Sequence, residues 1–269
     1  MKLLRYTTSL FLRAIVHIAR CASLCLLLNF TLIDYTAVAQ DTSCGIIWHE
    51  PVVLAYEYGL PSIAAQGDTV HVTWWGSTIK LPYIRSTNEG VQWDTVRDLY
   101  NYSDSASNGS INTVVANKEN VFLFFEITNT GTIDTYIYKL KSSDGGATWD
   151  TITRVTNFYS FLRDIAIKDD TIAVSLFIES QHGYPSPFMM TSTDAGTSWR
   201  VAPDTLGEFV KPALSDGMLH ITLNADEYPE IAYWKSYDLG FTWSLKTILS
   251  SIDNHGSMIS SIAASHNRV

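Results

Sequence analysis

From about residue 59 onward the chain alternates short apolar segments with polar turns, and no part of it has helical periodicity. In one stretch, INTVVANK, NVFLFFEIT and TYIYKLKSS each have the length and the Val, Ile, Phe and Tyr content of a β-strand, and WDTITRVT follows after a polar turn. The same succession of three strands, a turn and a fourth strand occurs four times. The pattern therefore predicts an all-β chain built from repeated units of four antiparallel strands.

The turn before each fourth strand carries a recurring motif, which is clearest at residues 142–149 (SSDGGATW). The Asp144 carboxylate can accept hydrogen bonds from nearby backbone N–H groups, Gly146 permits a positive φ, and Trp149 buries a large ring directly after the turn. We therefore expect the motif residues to be structural. They are Ser86, Asn88, Gly90 and Trp93; Ser142, Asp144, Gly146 and Trp149; Ser192, Asp194, Gly196 and Trp199; and Ser236, Asp238, Gly240 and Trp243.

The spacing of these motifs is that of a β-propeller. Their serines lie at positions 86, 142, 192 and 236, which is 56, 50 and 44 residues apart and within the range of propeller blades. We predict a propeller domain over residues 59–269, with full blades at about 60–100, 110–156, 161–206 and 208–250. Because IAASHNRV at the end of the sequence matches IAAQGDTV near the start of the first unit, we also expect a partial fifth blade at 258–269 and hence part of a larger closed propeller.

The first 39 residues differ from the rest and predict a secretory signal peptide. Four basic residues precede the apolar run CASLCLLLNF, and Ala-Val-Ala stands before Gln40. The run is too short to span a bilayer comfortably, since about 20 apolar residues are needed. We expect a secreted or periplasmic protein with no membrane span in the mature chain, and a lead-in segment at 40–58.

Composition narrows the possible partners. Without residues 1–39 the chain keeps 14 basic and 26 acidic side chains, a net charge of −12, which argues against nucleic acid as a partner. Only Cys44 remains of three cysteines, so no internal disulfide is expected. His71 and His220 occupy equivalent strand positions, and no metal-ligand spacing is present, so we predict neither metal nor cofactor.

The repeated motif, the strand pattern and the signal together resemble the Asp-box (BNR repeat) propellers of the sialidase superfamily. The resemblance covers about residues 59–269 and implies six blades. It also implies a site for terminal sialic acids with three arginines, a Tyr nucleophile with a Glu partner, and an Asp acid/base. The Asp boxes of that superfamily lie away from the site.

Three of the six residues that this resemblance implies, namely two arginines and the acid/base Asp, are not found where they are expected, and the third arginine and the Tyr would fall beyond Val269. The family's opening Arg-Ile-Pro aligns with Gly59-Leu60-Pro61, and the loop at 76–80, where the acid/base Asp is expected, holds no carboxylate. Glu208 resembles the partner of the nucleophile, whereas Leu223-Asn224 replaces a second arginine. Glu208 is therefore the one catalytic candidate.

Three functions remain open. The first, which we favour, is a non-catalytic propeller that binds a glycan or a cell-surface protein through its loops. The second is a divergent exo-sialidase or other glycoside hydrolase. The third is a structural module of a larger exported protein.

Overall fold

The computed structural model describes residues 50–56, 59–75, 80–102, 107–118, 120–178, 186–203, 208–224, 230–250, 260–265 and 269. The predicted signal peptide, Cys44 and most of the lead-in segment lie outside these residues. The chain divides into two units, Met1–Gly59 and Leu60–Val269. The described residues of the first unit contain no strand.

Sixteen strands in the described part of the second unit form four antiparallel sheets of four. The first sheet contains β1 (Pro61–Gln66), β2 (Thr69–Trp74), β3 (Lys80–Ser86) and β4 (Arg97–Asn101), and the second contains β5 (Ser107–Asn117), β6 (Asn120–Asn129), β7 (Thr135–Ser142) and β8 (Thr153–Arg154). The third contains β9 (Phe161–Lys168), β10 (Thr171–Ile178), β11 (Ser186–Ser192) and β12 (Arg200–Val201), and the fourth contains β13 (Glu208–Ser215), β14 (Met218–Asn224), β15 (Ile231–Ser236) and β16 (Thr247–Ile248).

Each sheet is a simple meander, because its strands pair in chain order. The first strands of successive sheets, β1, β5, β9 and β13, lie next to one another in that order. The sheets are therefore arranged as blades around their first strands. The predicted all-β propeller of four-stranded antiparallel blades is confirmed for these four sheets.

The core lies between neighbouring blades. Tyr83 of the first blade packs with Leu123 and Phe125 of the second in one buried cluster. Phe124 of the second packs with Leu162 of the third in another, and a third cluster joins the third and fourth blades. Because neighbouring sheets cover each other's apolar side chains, stacking of the blades buries the sheet faces that lie between them.

The outer strands β8, β12 and β16 contain only two residues each, whereas the sequence pattern predicted about eight. These strands pair on one side only, and all six of their residues are exposed. They have no second neighbour or apolar cover to extend them, and short outer strands also leave little free backbone edge.

The four motif turns, called serine–aspartate turns here although the first has Asn88 in place of the aspartate, share one hydrogen-bond geometry. In the second blade, the Ser142 hydroxyl donates to Asp144 Oδ1 over 2.7 Å and accepts from the Gly146 N–H over 2.8 Å, while Asp144 Oδ1 accepts from the Thr148 N–H over 2.8 Å. The bond from the glycine N–H to the serine hydroxyl recurs at 2.7–2.8 Å in the other three turns. The side chains thus close each turn from within.

The turns also attach to the preceding blade. Trp149 meets the Tyr83 ring edge-on at 5.0 Å, and Trp199 meets Phe124 in the same way at 6.0 Å. Arg85 of the first blade donates to the Gly145 carbonyl over 3.0 Å, and Arg97 donates to that of Ala147 over 2.8 Å. Each of these contacts fixes a turn of one blade on a strand of the blade before it.

The two ends of the blades differ. At one end, here called the turn end, lie the serine–aspartate turns and the hairpins between first and second strands. At the other, the strand-start end, first strands begin and second strands finish. β5, β9 and β13 each have a bulge near the strand-start end, whereas the described register of β1 is regular. These bulges re-aim side chains at this end.

Candidate functional site

The superfamily resemblance implies a site at the strand-start end, and an ion pair between neighbouring first strands is the first polar feature there. Lys211 lies in β13 and Asp164 in β9. Each is the fifth residue counted back from the end of its strand, so the two occupy equivalent positions in their blades. The Lys211 Nζ lies 3.2 Å from Asp164 Oδ2, and both side chains are about one-third exposed (30% and 33%). The pair joins the third and fourth blades by opposite charge at this end.

The same register position holds Ser62 in β1 and Thr113 in β5. The Ser62 hydroxyl accepts from the Val114 N–H over 3.0 Å, which joins the first and second blades. Sequence reasoning did not single out Lys211, Asp164 or Ser62. The signal that could have found them is their constant distance from the first hairpin of each unit.

Glu126 in β6 is a further acidic residue at this end that sequence reasoning missed. Its side chain is 1% exposed, and Oε1 accepts from the Leu162 N–H of the third blade over 2.6 Å. A buried carboxylate needs such partners, because desolvation strongly disfavours the charge. The available signal was one acidic residue inside the apolar run NVFLFFEIT.

Glu208, the catalytic candidate, begins β13, and its Cα is paired with that of Asn224 at the end of β14. Its side chain lies outside the described part of the chain. Asn224 is 8% exposed, and its Oδ1 accepts no hydrogen bond from a described residue. Leu223, beside it, is 2% exposed. The position where the resemblance implies an arginine thus holds a buried apolar side chain and a neutral amide.

The opening arginine of the family aligns with Gly59, which has no side chain, and Leu60 after it has an exposed apolar side chain. Residues 76–79 of the loop where an acid/base Asp is expected lie outside the described part. Lys80, which ends that loop, is paired with Asp98 over 2.6 Å.

Arg163 lies in the β9 bulge, with its guanidinium carbon 4.6 Å from the centre of the Phe177 ring. Arg154, at the end of β8, has its guanidinium carbon 3.5 Å from the centre of the Tyr136 ring of the same blade. The described residues thus place two arginines toward this end, in different blades, which is fewer than the three that the resemblance implies.

Aromatic rings contribute apolar surface to the strand-start end. Trp75 is 37% exposed, and its Nε1 donates to the Gly109 carbonyl of the second blade over 3.1 Å. Asn112 donates to the Trp74 carbonyl over 3.0 Å across the same boundary between two neighbouring blades, here called a seam. Trp75 therefore holds two blades together while part of its ring stays open to a ligand.

The two described histidines, His71 and His220, lie toward the turn end and are bonded to tyrosines. His71 Nδ1 is 2.8 Å from the Tyr83 hydroxyl, and His220 Nδ1 is 2.8 Å from that of Tyr233. Burial, helped by the positive charge of Arg85, lowers the pKa of His71 to about 4. Burial lowers the pKa of His220 as well, with Lys235 adding to the effect.

No set of three His, Cys, Asp or Glu side chains that could hold a metal ion occurs among the described residues. Nor does the part of the chain that the structure describes contain a helix long and apolar enough to cross a membrane. Among the described residues, the strand-start end offers the Lys211–Asp164 and Lys80–Asp98 ion pairs, the buried Glu126 carboxylate, arginines stacked on aromatic rings, neutral amides and the part-exposed Trp75 ring. Such a surface suits hydrogen bonding and ring stacking.

Comparison with known proteins places this fold beside sialidases. No family model and no curated protein matches the sequence. Among solved structures, the Hadza microbial sialidase Hz136 superposes with a TM-score of 0.59 at 16% identity, covering 71% of this chain and 46% of the sialidase. The chain thus spans less than half of that protein.

Two further structures are similar. The intramolecular trans-sialidase from Ruminococcus gnavus gives a TM-score of 0.57 at 16% identity, covering 75% of this chain and 74% of the enzyme. A family 117 glycoside hydrolase of the marine bacterium Zobellia galactanivorans gives 0.50 at 9% identity, covering 71% and 69%. At these identities the likeness concerns the fold, which is a sialidase-like β-propeller.

Proposed function

We propose that this chain is an exported Asp-box propeller that binds a glycan at its strand-start end without hydrolysing sialosides. The proposal includes the domain limits predicted above, with a signal peptide at 1–39 and the propeller at 59–269. The serine–aspartate turns serve as structural staples between blades, and no cofactor takes part.

The observation that carries the proposal is that Leu223 and Asn224, and not an arginine, occupy the position where the resemblance implies a group that binds a substrate carboxylate. A clamp of this kind needs the planar, always charged fork of arginine, which forms two parallel hydrogen bonds. Buried Leu223 and the Asn224 amide provide no charge there. The nearest basic group of the neighbouring first strand, Lys211, is already paired with Asp164.

Binding itself is supported by Trp75 and by the fold. A part-exposed indole held by a hydrogen bond offers a rigid face for sugar stacking. The Asn224 amide offers a buried acceptor beside the start of β13. The solved structures of similar fold include a sialidase, a trans-sialidase and a glycoside hydrolase.

The test is a glycan array probed with the purified chain, together with turnover of a fluorogenic sialoside. We expect glycan binding that falls in Trp75→Ala, and no turnover. Turnover that disappears in Glu208→Ala would contradict the proposal and establish the hydrolase alternative. Absence of binding to any glycan, with the protein folded, would also contradict it and favour a structural module.

A further inference from the structure

The serine–aspartate turn of the fourth blade differs from the other three in its variable positions. The position after the serine is Tyr237 in the fourth turn, and the position after the glycine is Phe241. The other turns have small or aliphatic residues there, namely Thr87, Ser143 and Thr193 at the first position and Val91, Ala147 and Thr197 at the second. Aromatic rings at these positions are not needed to close the turn, because the other turns close with the same hydrogen bonds without them.

The two rings are held in place by cations. Tyr237 is 66% exposed, and the Lys235 Nζ lies 5.3 Å from the centre of its ring. The guanidinium carbon of Arg200, from the third blade, lies 3.9 Å from the centre of the Phe241 ring. Arg200 directly follows the turn tryptophan of its blade, where the other blades have Asp94, Asp150 and Ser244. Both the rings and the arginine are therefore particular to this seam.

A pocket opens between these groups at the turn end, between the third and fourth blades. It has a volume of about 520 Å³ and is lined by Thr171, Arg200, Gly217, Tyr237 and Phe241, among others. A second pocket of about 310 Å³ adjoins it and shares Thr171, Gly217 and Leu239. Small-molecule sites occupy roughly 300–1,000 Å³, so the larger pocket is of suitable size for one or two sugar rings.

Two opposite charges line the larger pocket, those of Arg200 and Asp238. The Asp238 carboxylate is bonded within its own turn, where it accepts hydrogen bonds from Ser236, Phe241 and Thr242. Asp216, which lines the adjoining pocket, is paired with Lys168 over 2.5 Å. Among the described residues, no carboxylate forms an ion pair with Arg200. The guanidinium edge remains able to receive a carboxylate while its face rests on Phe241.

We propose that this pocket is a second binding site, for a small acidic saccharide, in which a sugar ring stacks on Tyr237 and a carboxylate of the ligand meets Arg200. The inference goes beyond the proposed function, because the pocket lies at the turn end, opposite the strand-start end. A single carboxylate on a compact sugar suits it better than a polyanion does, because the chain as a whole is acidic.

The experiment titrates the full chain with 3′-sialyllactose and with methyl glucuronide, each of which carries one carboxylate, and with lactose as the uncharged control, observed by ligand NMR. We expect binding of at least one acidic probe and much weaker binding of lactose. The Tyr237→Ala variant should weaken binding of the acidic probe about three- to tenfold, because one ring contact is lost. Arg200→Ala should weaken it about tenfold or more, because a charge-assisted hydrogen bond is lost, and Arg200→Lys should restore only part of it.

Two controls separate this site from the strand-start end. Leu245→Ala removes an apolar side chain that is 93% exposed in the same blade but does not line the pocket, and it should leave affinity unchanged. Arg163→Ala removes an arginine that also stacks on a phenylalanine but lies at the strand-start end. Circular dichroism and the melting temperature of each variant show whether it is folded.

Every outcome bears on the inference. Loss of binding in Arg163→Ala with no change in Arg200→Ala and Tyr237→Ala would overturn the second site and leave the proposed function standing. Equal binding of lactose and the acidic probes would overturn the ligand class. No binding of any probe by the wild-type chain would overturn the second site, whereas the proposed function would still be judged on the glycan array.

Discussion

Replacement of Gly146 by alanine tests how the turns attach to the preceding blade. Gly146 has φ +81°, and a Cβ there would lie 2.0 Å from the Tyr83 hydroxyl oxygen and 3.3 Å from His71 Nδ1. Gly145, the preceding residue, provides a matched control, because it has φ +62° but a Cβ there would meet nothing within 4 Å. Both variants place alanine in the left-handed region, at about 1–2 kcal/mol each.

The two variants should differ by the effect of the clash. Tyr83 is fully buried, is bonded to His71 and packs against Trp149, so its ring has little room to move. Forcing atoms into a packed site destabilises by about 1–3 kcal/mol, and loss of the His71–Tyr83 hydrogen bond adds about 1 kcal/mol. We therefore expect Gly146→Ala to lower the free energy of unfolding by about 2 kcal/mol or more beyond Gly145→Ala.

Urea denaturation followed by tryptophan fluorescence measures this difference. With a slope of about 2–3 kcal/mol per M, the midpoint of Gly146→Ala should lie about 0.7–1 M below that of Gly145→Ala. Equal midpoints for the two variants would refute the reasoning that the turn is fixed by contact with the preceding blade.

Three further predictions concern acid stability and one blade seam. Hydrogen bonds from Ser198 and Ser192 lower the pKa of Asp194 to about 2, below the value of about 3.8 expected in the unfolded chain, so the stability that this carboxylate contributes should be lost as pH falls from about 4 to 2. The Asp194→Asn variant should therefore lose less stability than wild type over that pH range. An unchanged dependence of stability on pH in this variant would contradict the prediction. Burial lowers the pKa of His71 from 6.5 to about 4, so the unfolded state binds more protons between these pH values and stability should fall as pH drops from 6.5 to 4. The His71→Phe variant should show a smaller fall of melting temperature over that pH range. An identical fall in the variant and in wild type would contradict the burial argument. The Glu126→Ala variant leaves the Leu162 N–H without its acceptor and should lower the free energy of unfolding, measured by urea denaturation, by about 1–3 kcal/mol. The Glu126→Gln variant keeps an acceptor oxygen and should be destabilised less. Equal effects of the two variants would argue against this hydrogen bond.

The sequence predicted the fold well because the fold is repetitive and locally encoded. The alternation around NVFLFFEIT and the turn at Ser142 each specify a strand or a turn from neighbouring residues. The lengths of β8, β12 and β16 were overestimated, because an outer strand ends where its partner and its apolar cover end, and neither can be seen in the strand's own residues.

The site was harder to predict because its residues meet across seams. Lys211 and Asp164 are 47 positions apart and become partners only when two blades are set side by side. Glu126 and the Leu162 N–H meet in the same way. The pocket between Arg200 and Tyr237 could be found only once the third and fourth blades were placed together, although the aromatic residues of the fourth turn were visible in the sequence.

The central claim is that the strand-start end binds a glycan without cleaving it. The most direct measurement is a proton NMR time course of 3′-sialyllactose incubated with the chain, which reports binding through saturation transfer and cleavage through the signals of released sialic acid. In the Arg200→Ala variant, which removes the contribution of the turn-end pocket, we predict saturation transfer to the ligand that falls when Trp75→Ala is added, and the wild-type chain should release no sialic acid. Released sialic acid from the wild-type chain, absent with Glu208→Ala, would contradict the account.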